Sequence, residues 1–131
     1  MNDLLASAHN LSDSLVDDRR AIHRRPELAY HETETAALVA RRLRELGIDV
    51  QTGVGGTGVV GLLRGGREGK TVLLRADMDA LPIQEPGELG FASDYAGVMH
   101  ACGHDAHTAM MLGVARLLAE RRESQIGRAH V

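Results

Sequence analysis

An α/β fold in which helices flank a mixed sheet is the class this sequence predicts. Three observations carry it: amphipathic stretches over the first 46 residues, short strand-like runs between residues 48 and 74, and a last helical stretch from Ala106 to Arg121. In the first stretch Leu4, Leu5, Ala8, Leu11, Leu15, Ala21 and Ile22 recur near helical spacing. Asp3 is placed as an N-cap, and Pro26 forbids continuation past Arg25, so one helix is expected. From Thr33 to Leu46 a second helix sets Ala37, Leu38, Ala40, Leu43 and Leu46 on one side and arginines on the other, with Gly47 just past its end. Ile48–Thr52 alternates as a short strand, Thr57–Leu63 reads as another, Gly65–Gly69 as a turn, and Thr71–Leu74 as a continuous, buried apolar strand. Asp77–Met99 carries Pro82, Pro86, Gly87, Gly90 and Gly97 with little periodicity and is expected to be a long ordered loop. In the last helix Met110, Met111, Val114, Leu117 and Leu118 are expected to face inward.

Composition narrows the function classes. A chain of 131 residues supports about one small domain with a mostly aliphatic core. The net charge is −3, and the basic residues, all arginine except Lys70, are scattered, so nucleic acid is not an expected partner. No run of about twenty apolar residues suits a membrane span, and the N-terminus lacks the basic head and apolar core of a signal peptide. A single cysteine excludes an internal disulfide framework. The expectation is a cytoplasmic protein acting on small molecules.

Two clusters carry chemistry. Met99-His100-Ala101-Cys102-Gly103-His104-Asp105-Ala106-His107 packs three imidazoles, one carboxylate and the only thiol into nine residues. A thiolate and an imidazole two positions apart, separated by glycine and running into a helix, can turn toward one divalent ion. The helix N-terminus and a cation both favour the thiolate form. Upstream, Leu74-Arg75-Ala76-Asp77-Met78-Asp79-Ala80-Leu81-Pro82 ends an apolar strand in two carboxylates one residue apart, where open α/β sheets put ligands. One of these can support a metal-bound histidine from behind. Alternatively, Asp77 pairs with Arg75 or another arginine and Asp79 caps a turn. Gly53-Val54-Gly55-Gly56-Thr57-Gly58 superficially resembles a phosphate cradle, but it lacks the P-loop lysine and a following helix, so it reads as a hairpin or connection. His23 and His31 lie among charged residues and read as surface or structural.

Together with Ile22-His23-Arg24-Arg25-Pro26-Glu27-Leu28, the two clusters resemble, in order and spacing, the M20 metallopeptidase family. They are similar to its amidohydrolase branch of hippurate hydrolases, N-acyl-amino-acid amidohydrolases and plant auxin-conjugate hydrolases. The resemblance covers about Leu11 to Glu123 and implies the N-terminal part of a zinc-peptidase-like catalytic domain, incomplete over residues 1–123. It implies a hydrolase that cleaves the amide bond of N-acyl amino acids with two divalent metal ions, zinc or manganese, with cobalt or nickel also admissible, and a parent protein that is a homodimer. Carried over by position, the metal thiolate falls on Cys102 and the nearby imidazole ligand on His104. The catalytic-site aspartate falls on Asp79, and the family's histidine ligand position holds Asp77, whose role stays open. The family's general base comes from a Glu-Glu pair, and no such pair occurs after His107, so these 131 residues are expected to be inactive by themselves. Rival readings are a non-catalytic metal-binding module or dead relative and, last, a redox-responsive thiol without a resolving cysteine.

Ser124-Gln125-Ile126-Gly127-Arg128-Ala129-His130-Val131 abandons the pattern of the last helix. Gln125–Val131 is what the codons CAG ATC GGA AGA GCA CAC GTC encode, a string matching the start of a widely used sequencing adapter. Residues 124–131 are therefore read as a non-native tail.

Overall fold

A computed structural model describes residues 2–124 and 126–130. In chain order it contains α1 (Asn2–Asn10), α2 (Ser12–Arg24), α3 (Thr33–Glu45), β1 (Asp49–Val54), β2 (Gly58–Arg64), β3 (Arg67–Leu73), α4 (His104–Glu120), a 3-10 turn (Arg122–Ser124) and β4 (Ile126–His130). The mixed sheet is ordered β1-β2-β4-β3, with β1/β2 and β2/β4 antiparallel and β3/β4 parallel. The expected α/β class of helices on a mixed sheet is what the chain adopts.

The single N-terminal helix expected from the apolar spacing is divided at Leu11, which separates α1 from α2. The Ser12 hydroxyl donates to the His9 carbonyl and that of Ser14 to the Leu11 carbonyl. Such local bonds compete with the regular ladder where serines follow an asparagine. In α3 the apolar spacing buries Ala40 and Leu43, and Gly47, at φ +67°, ends the helix in the left-handed conformation that glycine adopts freely. Ala37, expected on that face, is exposed instead. The Gly53–Gly58 stretch closes the β1–β2 hairpin, as its glycine spacing and lack of a following helix suggested.

The core joins Leu43 of α3, Ile48, Leu63 of β2, and Leu112 and Ala115 of α4. Leu38, Val39, Val50, Val59 and Leu118 pack around it, so one side of the sheet is covered by α3 and α4. α2 lies across α4, where the Leu15 methyls reach the backbone face of Gly113, and the Arg42 guanidinium ties α3 to α2 through two donations to Asp18 Oδ1, at 3.0 and 2.7 Å.

Two burial expectations are corrected. β3 is exposed throughout, Leu73 by 73%, because it takes the outer edge of the sheet, and it begins at Arg67, inside the segment read as a turn. On α4, Met110 and Val114 are exposed while Ala109, Leu112 and Ala115 form the inner face. Ile126–His130 is inserted between β2 and β3, pairing Leu62 with His130 on one side and Thr71 with Arg128 on the other.

The turn between α2 and α3 is fixed by one carboxylate. Glu27 accepts from the backbone N–H groups of Glu34 and Thr35 and from the hydroxyls of Thr33 and Thr35, all at 2.9–3.0 Å. It thereby satisfies the orphan donors of the first turn of α3. Partial burial pushes its carboxyl up, but these four bonds more than offset that and hold it below the usual glutamate value.

Candidate metal centre

Three short backbone pairings set the site. The Ala80 N–H donates to the Glu27 carbonyl at 2.7 Å, Leu28 bridges Ala80 in parallel, and Leu81 and Met99 exchange hydrogen bonds at 2.9 and 3.0 Å. The Asp77–Leu81 segment therefore runs between the turn after α2 and the segment that enters the cysteine cluster. β3 stops at Leu73, so both carboxylates lie beyond the strand rather than at its last residues.

Asp79 faces α4. Its Oδ1 and its carbonyl oxygen each lie 2.9 Å from His104 Nδ1, which donates to them. In the neutral ring a proton on Nδ1 leaves the Nε2 lone pair available, the arrangement in which a carboxylate orients a metal-ligating imidazole. Asp77 turns away: its Oδ1 accepts from Arg75 at 2.7 and 3.0 Å, and its carbonyl accepts from the Thr108 hydroxyl at 3.1 Å.

Cys102 is a free, exposed thiol. Gly103, next to it, sits at φ +75° as the N-cap of α4, and this left-handed residue lets the chain turn from the thiol into the helix within one position. The His107 ring is tilted beside that of His104, 5.8 Å between centroids. By donor chemistry alone Cys102 and His104, two positions apart, are one soft and one borderline donor type, a partial fit to a divalent ion. Among the described residues no group of three or more histidine, cysteine, aspartate or glutamate side chains is placed to hold a metal.

Behind this turn lies a network around His23, and of the two readings open to that residue, surface or structural, the structure favours the structural one. His23 is 3% exposed, not solvated among charged neighbours, because its partners come from distant parts of the chain. Its Nδ1 lies 2.8 Å from Asp105 Oδ2 and its Nε2 2.9 Å from Glu85 Oε1. Arg19 Nε donates to the same Asp105 oxygen at 3.0 Å, and the Ser93 N–H donates to Glu85 Oε2 at 2.6 Å. Phe91 closes the top, edge-on to His23 at 5.3 Å and stacked by the guanidinium of Arg20 at 5.0 Å. Burial pushes the Asp105 carboxyl up, yet hydrogen bonds from His23 and Arg19 outweigh it and leave the group below its ordinary value. The His23 hydrogen bond, helped by the Ser93 N–H, likewise lowers Glu85. His100 is 4% exposed, with neither ring nitrogen partnered among the described residues, and its burial lowers its pKa. His31 is exposed.

The model of peptidase family M20/M25/M40 matches residues 73–131. Thermostable carboxypeptidase 2 of Saccharolobus solfataricus is 54% identical over 114 residues, 86% of this chain and 29% of that protein. Hippurate hydrolase of Campylobacter jejuni is 50% identical over 103 residues, 79% of this chain and 27% of the enzyme. The crystal structure of a Bacillus subtilis dinuclear metal-binding peptidase from the M20 family superposes with a TM-score of 0.88 at 41% identity, covering 93% of this chain and 35% of that one. The chain therefore spans less than a third of the length of the curated relatives it matches. Resemblance in three motifs, shared fold and high identity across most of its residues converge: this chain belongs to the M20 peptidase family.

Proposed function

We propose that this chain is the donor-bearing N-terminal part of a metal-dependent amidohydrolase that cleaves the amide bond of N-acyl amino acids. The observation that carries the reading is the His104–Asp79 pair, which holds an imidazole with its proton on Nδ1 and its Nε2 lone pair free, two residues from an exposed thiol. In this reading Cys102 and His104 hold a divalent ion, zinc or manganese, in a centre of two ions. Bound metal would supply Lewis-acid polarisation of the amide carbonyl and a water acidic enough to attack near neutral pH. The chain's own contribution is to bind and orient. Asp79 keeps the Nδ1 proton on His104, Gly103 sets the thiol and imidazole on one turn, and the Arg75–Asp77 pair keeps Asp77 away from the donors. Substrates of the hippurate class, an acyl group on an amino acid, are the proposed cargo, supported by the relatives' names. A cytoplasmic homodimer is proposed for the parent protein.

The tail is part of the same proposal. Residues 124–131 are read as foreign to the gene, and backbone pairing of Ile126–His130 between two strands is open to a segment of either origin. Sequencing the source DNA across and beyond the Ser124 codon decides it: a frame continuing in other codons into a Glu-Glu pair supports the reading, and a genomic match through Val131 removes it. The polypeptide encoded by the read-through gene is then assayed against N-acyl amino acids with zinc and with manganese. Metal-dependent release of the amino acid, lost on chelation and in Cys102→Ser, is the expected result. Stoichiometric metal uptake without turnover of any acyl-amino acid would favour a non-catalytic binding protein.

A further inference from the structure

The donor turn has little packing of its own. Cys102 is exposed, and a Cβ built on Gly103 would meet nothing within 4 Å. Its backbone bonds are the Gly103 N–H to the His100 carbonyl at 3.3 Å and the Ala106 and His107 N–H groups to the Gly103 carbonyl at 3.0 and 3.1 Å. Apart from the hydrogen bonds of His104 to Asp79, what fixes the turn lies on either side of it.

On the exit side is Asp105, the residue after His104, 0% exposed and gripped at Oδ2 by His23 and Arg19. On the entry side is the loop that carries Glu85, 8% exposed, and that returns through Met99 and His100 into Cys102. One imidazole joins the two: His23 reaches 82 residues along the chain with Nδ1 and 62 with Nε2. Both partners are carboxylate oxygens, one on each side of the ring, and no other natural side chain of this size presents two ring nitrogens pointing in opposite directions.

We propose that His23 is a positioning residue for the metal donors: by clamping Asp105 to Glu85 from α2 it holds both ends of the Cys102–His104 turn in the geometry that accepts a divalent ion. The inference rests on the reading of Cys102 and His104 as donors. Loss of the clamp loosens the turn rather than removing a ligand, so it weakens the ion while leaving the ligand set intact. Outer partners of metal ligands characteristically act this way, at about 10–100-fold in affinity.

The test is titration of the 131-residue chain with Co²⁺, followed by the thiolate-to-cobalt charge-transfer absorption, alongside thermal melts. Variants are His23→Gln, which can donate to one carboxylate but not to both, and the double variant His23→Gln/Glu85→Gln. The double variant neutralises the buried carboxylate that the single change leaves without its histidine donor and so guards against simple unfolding. Cys102→Ser tests the donor, and Ile48→Val, in the core and away from the turn, tests whether lower stability alone weakens the ion.

The expected result is an absorption band in wild type, absent in Cys102→Ser, and retained in both His23 variants with a Kd at least about tenfold weaker. Ile48→Val is expected to melt earlier with an unchanged Kd. A Kd within about twofold of wild type in both His23 variants, with the band still lost in Cys102→Ser, overturns the positioning role and leaves the donor reading standing. No band in wild type, or a band that survives Cys102→Ser, removes the donor reading and the positioning role with it.

Discussion

His104 Nδ1 lies 2.9 Å from both the carboxylate Oδ1 and the carbonyl oxygen of Asp79, so a single residue fixes the tautomer and the ring plane of the imidazole. Asp79→Asn keeps the shape but replaces the charged acceptor. We expect it to weaken zinc binding about 10–100-fold, since such partners raise ligand basicity and hold orientation. Its effect on stability should stay within about 1 kcal/mol because the pair is partly exposed. Competition against a chromophoric chelator, run beside urea unfolding, separates the two effects.

Leu43 is 1% exposed at the centre of the cluster with Ile48, Leu63, Leu112 and Ala115. Leu43→Ala should destabilise the chain by about 2–5 kcal/mol through lost burial and the cavity left behind. Leu73→Ser, on the exposed edge strand, should change stability by no more than about 0.5 kcal/mol. Equal losses in chemical denaturation would show that the sheet edge is covered in solution.

Glu27 sets an acid limb. Its folded pKa lies below the ordinary value of 4.5, so the unfolded chain binds the proton more readily. The stabilisation is fully present above about pH 4.5 and is lost as pH falls through the lowered folded value. Glu27→Gln should cost about 1 kcal/mol near neutral pH, the scale of a lost helix-terminal acceptor, and should flatten stability against pH below about 5. Thermal melts between pH 3 and 7 give the comparison; parallel curves for wild type and variant would contradict it.

Gly103 at φ +75° is a position where a side chain is strained even though space is open. Gly103→Ala should cost about 1 kcal/mol. It should also weaken metal binding more than an equally destabilising core change, because the strain is released at the donor turn itself. Matched melts and metal titrations of Gly103→Ala and Ile48→Val show which effect dominates.

How much of this was legible in sequence depended on how far apart the partners lie. α3 was readable from its own spacing and its stop at Gly47, and the β1–β2 hairpin from its glycines, since these signals act over a few residues. The thiol–imidazole turn was readable for the same reason, being confined to Cys102–His104. His23 was not: its partners stand 62 and 82 residues away, and nothing near Arg24 and Arg25 distinguishes a buried histidine from a solvated one. The motif that joins His23 to Pro26 and Glu27 was visible, but only tertiary contact shows that its histidine meets Asp105. β3 misled in the other direction, because Thr71–Leu74 reads as buried from its apolar run, and strand order alone places it at the edge. The division at Leu11 escaped the apolar spacing because it rests on two serine hydroxyls.

The central claim, that one turn of this chain offers a thiolate and an imidazole to a divalent ion, is tested most directly by zinc-edge X-ray absorption on the zinc-loaded chain. The account expects a sulfur scatterer at about 2.3 Å and imidazole nitrogen at about 2.0–2.1 Å, the imidazole contribution falling in His104→Ala and the sulfur vanishing in Cys102→Ser. A first shell of oxygen and nitrogen alone, or a spectrum unchanged by both substitutions, would contradict it.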